Sequence, residues 1–113
     1  MSATLSTHVL DTAHGRPGAG IAVTLLDGHG ACLFEGMTNA DGRCPGLAAL
    51  RLSPGRHALC FATADYFRTA GVALADPPFI DRVTIDFGIG RDGGHYHVPL
   101  LVSPYSYSTY RGS

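Results

Sequence analysis

The sequence predicts an all-β fold, an antiparallel β-sandwich of seven or eight short strands with one short helix. Three observations carry that prediction. Fifteen glycines and seven prolines are spread along 113 residues, a density of turn formers that suits short strands joined tightly. Apolar and polar residues alternate with period two, most cleanly where Val83, Ile85 and Phe87 interleave with Arg82, Thr84 and Asp86. A single stretch, Thr63 to Gly71, reads as a helix, with Thr63 or Asp65 to cap it and Gly71 to end it. No repeat, linker or low-complexity tract divides the chain, so residues 1–113 form one domain. A domain of this size buries roughly two thirds of its unfolded surface, enough for one core without a staple.

The elements follow in order. Thr4 to Asp11 is the first strand, and Thr12 to Gly20 a loop. Ile21 to Leu26 is the second strand, turned back by Asp27-Gly28-His29-Gly30 into Ala31 to Thr38. Asn39-Ala40-Asp41-Gly42 is a second turn of the same chemistry. Arg43 to Leu47 leaves it as an edge or irregular strand, because Pro45 lacks a ladder donor. Ser53-Pro54-Gly55 is a further turn, His57 to Ala62 a strand, and Asp76-Pro77-Pro78 a break after the helix. Ile80 to Phe87 and the stretch from His95 are the last strands, joined through glycine-rich residues 88–94.

Composition excludes several classes of function. The net charge is −1 with no basic block, which gives nucleic acid and acidic membranes little to grip. Cys32, Cys44 and Cys60 are odd in number and match no zinc spacing, so they read as buried, reduced thiols of a cytosolic protein. No apolar run reaches the roughly 20 residues that span a bilayer. No basic patch leads into an apolar segment at the start, and the end is not a Ser-Lys-Leu address. The expectation is a cytoplasmic protein.

Chemistry concentrates in the last nineteen residues, His95 to Ser113. In an extended segment His95 and His97 share one face, while Val98, Leu100 and Val102 share the other. A bulge at Pro99 would shift that alternation. The segment then carries Ser103-Pro104-Tyr105-Ser106-Tyr107-Ser108-Thr109, which closely resembles the last strand of transthyretin. His8-Val9-Leu10-Asp11, with Gly15 and Pro17 after it, resembles the beginning of the same family. The chain departs from the hormone carrier at Tyr110-Arg111-Gly112-Ser113, which resembles the C-terminal tetrapeptide of the transthyretin-related 5-hydroxyisourate hydrolases. Thr38-Asn39-Ala40-Asp41-Gly42-Arg43 is similar to that same branch.

The resemblance implies a transthyretin-like (prealbumin-like) sandwich of two four-stranded sheets with a short helix. It implies a homotetramer, a dimer of dimers, with active sites in the channel between dimers. The implied reaction opens the ring of 5-hydroxyisourate to give 2-oxo-4-hydroxy-4-carboxy-5-ureidoimidazoline, the step after urate oxidase in purine breakdown. Carried over residue by residue, it implies His8, Arg43, His97, Tyr110 and Ser113 as the catalytic set. It implies that His8, Arg43, Tyr110 and Arg111 contact the substrate. Neither a cofactor nor a metal belongs to this scheme.

These side chains suit the chemistry. Attack of water on a ring carbonyl needs a base near neutral pH, and imidazole is the side chain whose ordinary pKa lies there. Either His8 or His97 can be that base. The developing oxyanion needs a fixed donor, and the Arg43 guanidinium stays charged and forks onto oxygens. Tyr110 can stack on the ring or donate its hydroxyl, and Arg111 can pair with the terminal carboxylate. Each residue also has an ordinary reading. His95 is expected to be structural or peripheral, and His14, His29 and His57 to lie at the surface or in loops. Asp41 and Gly42 are expected to form the turn, and Tyr105 and Tyr107 to pack or meet a partner subunit. Two other functions compete with hydrolysis. One is a carrier that holds an apolar aromatic ligand between dimers. The other is a zinc protein using His8, His95 and His97.

Overall fold

The structure, a computed structural model, describes residues 2–112. Among these residues eight strands form two four-stranded sheets. The strands are β1 (Ala3–Asp11), β2 (Arg16–Pro17), β3 (Ala22–Asp27), β4 (Cys32–Met37), β5 (Gly55–Phe61), β6 (Val83–Ile89), β7 (Gly94–Val102) and β8 (Tyr107–Thr109). One sheet has the order β2-β1-β7-β8, and the other β4-β3-β5-β6. The pairings are antiparallel except β1 with β7, which run parallel in register from Ala3–Gly94 to Asp11–Val102. A parallel pair needs a long connection, and here the whole second sheet and the helix supply it.

The core lies between the sheets. Leu5, Val9, Leu100 and Val102 close on Val23, Leu25, Leu59 and Phe61, all essentially without exposure. Period-two alternation explains this arrangement: in β1 residues 3, 5, 7, 9 and 11 are buried and the residues between them are not.

The helix α1 is Thr63–Thr69 and seats Tyr66 and Phe67 in the core. Neither expected cap forms, because the N-cap is Ala62 and Thr63 Oγ1 is buried without a hydrogen-bond partner among the described residues. The predicted end holds. Gly71 has φ +87°, and its N–H donates to Arg68 O at 3.0 Å while the Val72 N–H donates to Phe67 O at 2.9 Å. That is the left-handed Schellman termination for which glycine is favoured. Asp11 ties helix to sheet. Its carboxylate accepts from the Tyr66 hydroxyl at 2.7 Å, from the His14 ring at 2.6 Å and from the amides of Ala13 and His14.

Several local expectations are corrected. Residues after Arg43 form no strand: Arg43 makes one isolated bridge, and Pro45–Ala49 is a 3₁₀ turn. Proline suits the start of such a turn, where its missing N–H leaves no bond unmade. The last stretch is two strands, because Ser103 N–H donates to Ser106 O at 2.8 Å and folds β8 back on β7. Two residues of the expected loop, Arg16–Pro17, pair with β1. His57 is buried rather than superficial and stacks on Phe87 with ring centroids 5.8 Å apart. Cys44 is buried as expected, but Cys32 is exposed and Cys60 half-buried. Among the described residues no helix is long and apolar enough to cross a membrane.

Candidate active site

The outward face of β1 and β7 gathers the polar chemistry. On β1, Thr4, Ser6 and His8 point away from the core and are half-buried. On β7, Tyr96, Val98, Leu100 and Val102 enter the core, leaving His95 and His97 on the outward face. The parallel register sets Thr4 beside His95, Ser6 beside His97 and His8 beside Pro99. Pro99 causes no slip, so the two histidines do share a face.

The second turn delivers Arg43 to this face. Asn39 Oδ1 accepts from the amides of Asp41 and Arg43, both at 3.0 Å, and the Asn39 N–H donates to Arg43 O at 2.7 Å. Gly42, at φ +75°, is pressed on β1, and its carbonyl accepts from Val9 N–H at 2.8 Å. A Cβ at Gly42 would stand 2.3 Å from Val9 O, so only glycine permits this approach. Arg43 thereby bridges His8. Among the described residues its guanidinium has no ion-pair partner.

The chain end closes the face on its other side. Gly112 N–H donates to His97 O at 2.8 Å and forms a bridge there. The register from Leu100–Thr109 to His97–Gly112 sets Tyr110 opposite Pro99 and Arg111 opposite Val98. Tyr110 therefore continues the row of Arg43, His8 and Pro99. Arg111 sits at an inward position, behind the imidazole face. Its guanidinium lies 4.1 Å from the centroid of the Tyr96 ring, and it reaches the His95 carbonyl at 3.5 Å. Within one chain, His8, Arg43 and His97 come together with Tyr110 in line, and Arg111 does not join them. Ser113, also expected in the set, lies outside the described residues.

Hydrogen bonds orient the two histidines differently. His8 Nε2 is 2.9 Å from Asp41 O, and a carbonyl only accepts. His8 Nε2 thus carries the proton, and Nδ1 of the neutral ring keeps its lone pair. His97 Nδ1 is 2.7 Å from Ser6 Oγ, while its Nε2 has no partner among the described residues. Burial, and next the guanidinium charge of nearby Arg43, pushes the His97 pKa below the ordinary 6.5. A neutral imidazole beside an unpaired guanidinium can take a proton while the cation holds developing negative charge.

Among the described residues no three His, Cys, Asp or Glu side chains are placed to hold one ion. His95 and His97 instead turn nitrogens toward Thr4 and Ser6. Those two hydroxyl residues are what sequence reading missed. Their signal was present, because period two from His8 places Ser6 and Thr4 on its own face. A groove of about 720 Å³ lies against α1 and includes Met37, Tyr66 and Ala70 in its lining. It holds no histidine, and the chemistry identifies the candidate site.

Comparison with known proteins places the chain in a family. Residues 5–112 match the transthyretin family model, described as the HIUase/Transthyretin family. A 5-hydroxyisourate hydrolase of Ralstonia nicotianae is 54% identical over 114 residues, which cover 96% of this chain and 97% of that protein. The structure of Klebsiella pneumoniae 5-hydroxyisourate hydrolase aligns with TM-score 0.85 and 40% identity over 98% of this chain and 99% of that one. Sea bream transthyretin, solved in complex with thyroxine, aligns with TM-score 0.83 at 26% identity over 96% of this chain and 93% of that one. The chain belongs to the HIUase/Transthyretin family.

Proposed function

We propose that this protein is a 5-hydroxyisourate hydrolase, with His97 as the general base. The observation that carries the reading is the convergence of His8, Arg43 and His97 on one outward face, with Arg43 bridged to His8 and β1 in parallel register with β7. His97 Nε2 takes a proton from water as the water oxygen attacks a ring carbonyl. The Arg43 guanidinium holds the oxyanion. Collapse of the tetrahedral intermediate breaks the C–N bond, and the proton held at His97 passes to the leaving nitrogen. His8, fixed through Asp41 O, offers Nδ1 to a substrate N–H or to the attacking water. Tyr110 lies in line to cover the planar ring, and Ser113 completes the set that the resemblance implies. The product of the ring opening is 2-oxo-4-hydroxy-4-carboxy-5-ureidoimidazoline.

The working form in this reading is a homotetramer in the cytoplasm. The candidate face is open in the single chain, and apposition of a second copy would exclude water from it. Light scattering is expected to give four chains, and a monomer at working concentration would contradict that.

The fold likeness to a protein solved with thyroxine motivates a second reading, an apolar-ligand carrier. A guanidinium and two imidazoles on the face favour a small polar substrate instead. Ultraviolet decay of hydroxyisourate generated by urate oxidase separates the two. Acceleration over the spontaneous rate supports the hydrolase. Calorimetric binding of iodinated phenols without acceleration supports the carrier.

A further inference from the structure

Ser6 stands between two imidazoles. Its Oγ is 2.7 Å from His97 Nδ1 and 3.0 Å from His95 Nε2. The other nitrogen of His95, Nδ1, is 2.7 Å from Thr4 Oγ1. The row runs from half-buried His97 to exposed His95. Neither Ser6 nor Thr4 nor His95 belongs to the set that the family resemblance implies.

A serine hydroxyl has one proton. If Ser6 donates to His95 Nε2, it must accept from His97 Nδ1–H, and His97 Nε2 is then an open base. If Ser6 donates to His97 Nδ1, it accepts from His95 Nε2–H, and His97 Nε2 then carries a proton. In the first state both neutral rings carry their proton on Nδ1, and in the second both carry it on Nε2. One hydroxyl thus forces the two rings into the same tautomer.

We propose that Ser6 couples His97 and His95 into one proton relay, in which Ser6 and His95 are positioning residues for the base. The inference rests on the hydrolase reading for its use in turnover, but not for the coupling itself. As water attacks, a water O–H bond breaks and a His97 Nε2–H bond forms. The His97 Nδ1–H proton moves to Ser6 Oγ, and the former Ser6 proton moves to His95 Nε2. The His95 Nδ1–H proton passes through Thr4 Oγ1 to solvent. Charge balances, because one proton enters the row and one leaves. His97 avoids becoming a cation, which matters beside Arg43 and His8. Running in reverse, the row restores the proton that the leaving nitrogen takes.

Two measurements test the relay, the first of them independently of the hydrolase reading. The first is nitrogen NMR of ring-labelled histidine at about pH 8, above the ordinary histidine range. His95 and His97 are expected to show equal Nδ1–H fractions in the unaltered protein, and Ser6→Ala is expected to uncouple them. Opposite tautomers, or equal fractions that persist in Ser6→Ala, would overturn the relay whether or not the protein hydrolyses anything. The second is turnover. Ser6→Ala is expected to lower kcat about ten-fold with KM nearly unchanged, and Ser6→Thr, which keeps the hydroxyl, to recover most of it. A curved proton inventory should become linear in Ser6→Ala. Full activity of a folded Ser6→Ala protein would refute the relay. An inactive unaltered protein would refute the hydrolase reading, with the tautomer measurement still deciding the coupling.

Discussion

Gly112→Ala is the perturbation whose consequence follows most directly from geometry. Gly112 pairs with His97, and the imidazole lies over the position where a side chain would begin. A Cβ there would stand 2.5 Å from His97 Cδ2, 3.2 Å from Cγ and 3.3 Å from the His97 Cβ, whereas ordinary contact begins near 3.4 Å. Relief therefore requires the ring to move by roughly 1 Å, a displacement of the size that costs about 100-fold in rate. In activation free energy this is about 2.7 kcal/mol. The same movement lengthens the 2.7 Å bond from Ser6 to His97, so the base loses its orientation as well as its place. Gly112 is near the chain end and at the sheet edge, so the cost falls on activity far more than on stability. The assay is the initial rate of hydroxyisourate decay, with the melting temperature as control. Gly112→Ala protein that retains activity within about two-fold of the parent would refute the placement of His97 as base.

Other predictions address the remaining links. Arg43→Gln removes a positive neighbour of His97, so its pKa should rise and the acidic limb of the pH–rate profile should move to higher pH; an unmoved limb would contradict the coupling. In the folded protein His97 binds protons less readily than its ordinary 6.5. Its contribution to stability is therefore complete above that value and shrinks as pH falls toward the lowered one, and His97→Gln should flatten that part of a melting-temperature profile. Burial alone would raise the Asp11 carboxyl, but hydrogen bonds from Tyr66 and His14 outweigh it and hold it below 3.8. Tyr66→Phe should cost about 1–3 kcal/mol by denaturant titration, since it strips a buried carboxylate of one donor. Phe61→Ala should cost about 3–5 kcal/mol in the same assay, because the ring is fully buried between the sheets.

Much of the fold was legible because period-two alternation is a local property. The strand from Val83 to Phe87 and the outward His95 and His97 could be read directly from spacing. The long-range facts were not. Nothing in the residues around Ser6 announces that β1 runs parallel to β7, yet that register places Ser6 between His95 and His97. Arg43 was read as the start of a strand because it follows a turn. In the structure Asn39 and Gly42 hold that turn against β1, so Arg43 makes a single bridge instead. His57 was misplaced for a related reason. Beside a proline-glycine turn it reads as superficial, but pairing with Phe87 gives its ring an aromatic partner at the mouth of the core. Arg111 shows the limit of a motif. Its neighbours Tyr110 and Gly112 occupy the outward parity, and alternation alone sends Arg111 behind the sheet to Tyr96.

His8, Arg43 and His97 are proposed to make this face a ring-opening hydrolase. The most direct measurement is the decay of freshly generated 5-hydroxyisourate, followed in the ultraviolet with and without the protein. Decay many-fold faster than the spontaneous reaction is expected, with the acceleration largely lost in His97→Ala protein of unchanged melting temperature. Decay at the spontaneous rate in the presence of the folded, unaltered protein would contradict the proposal.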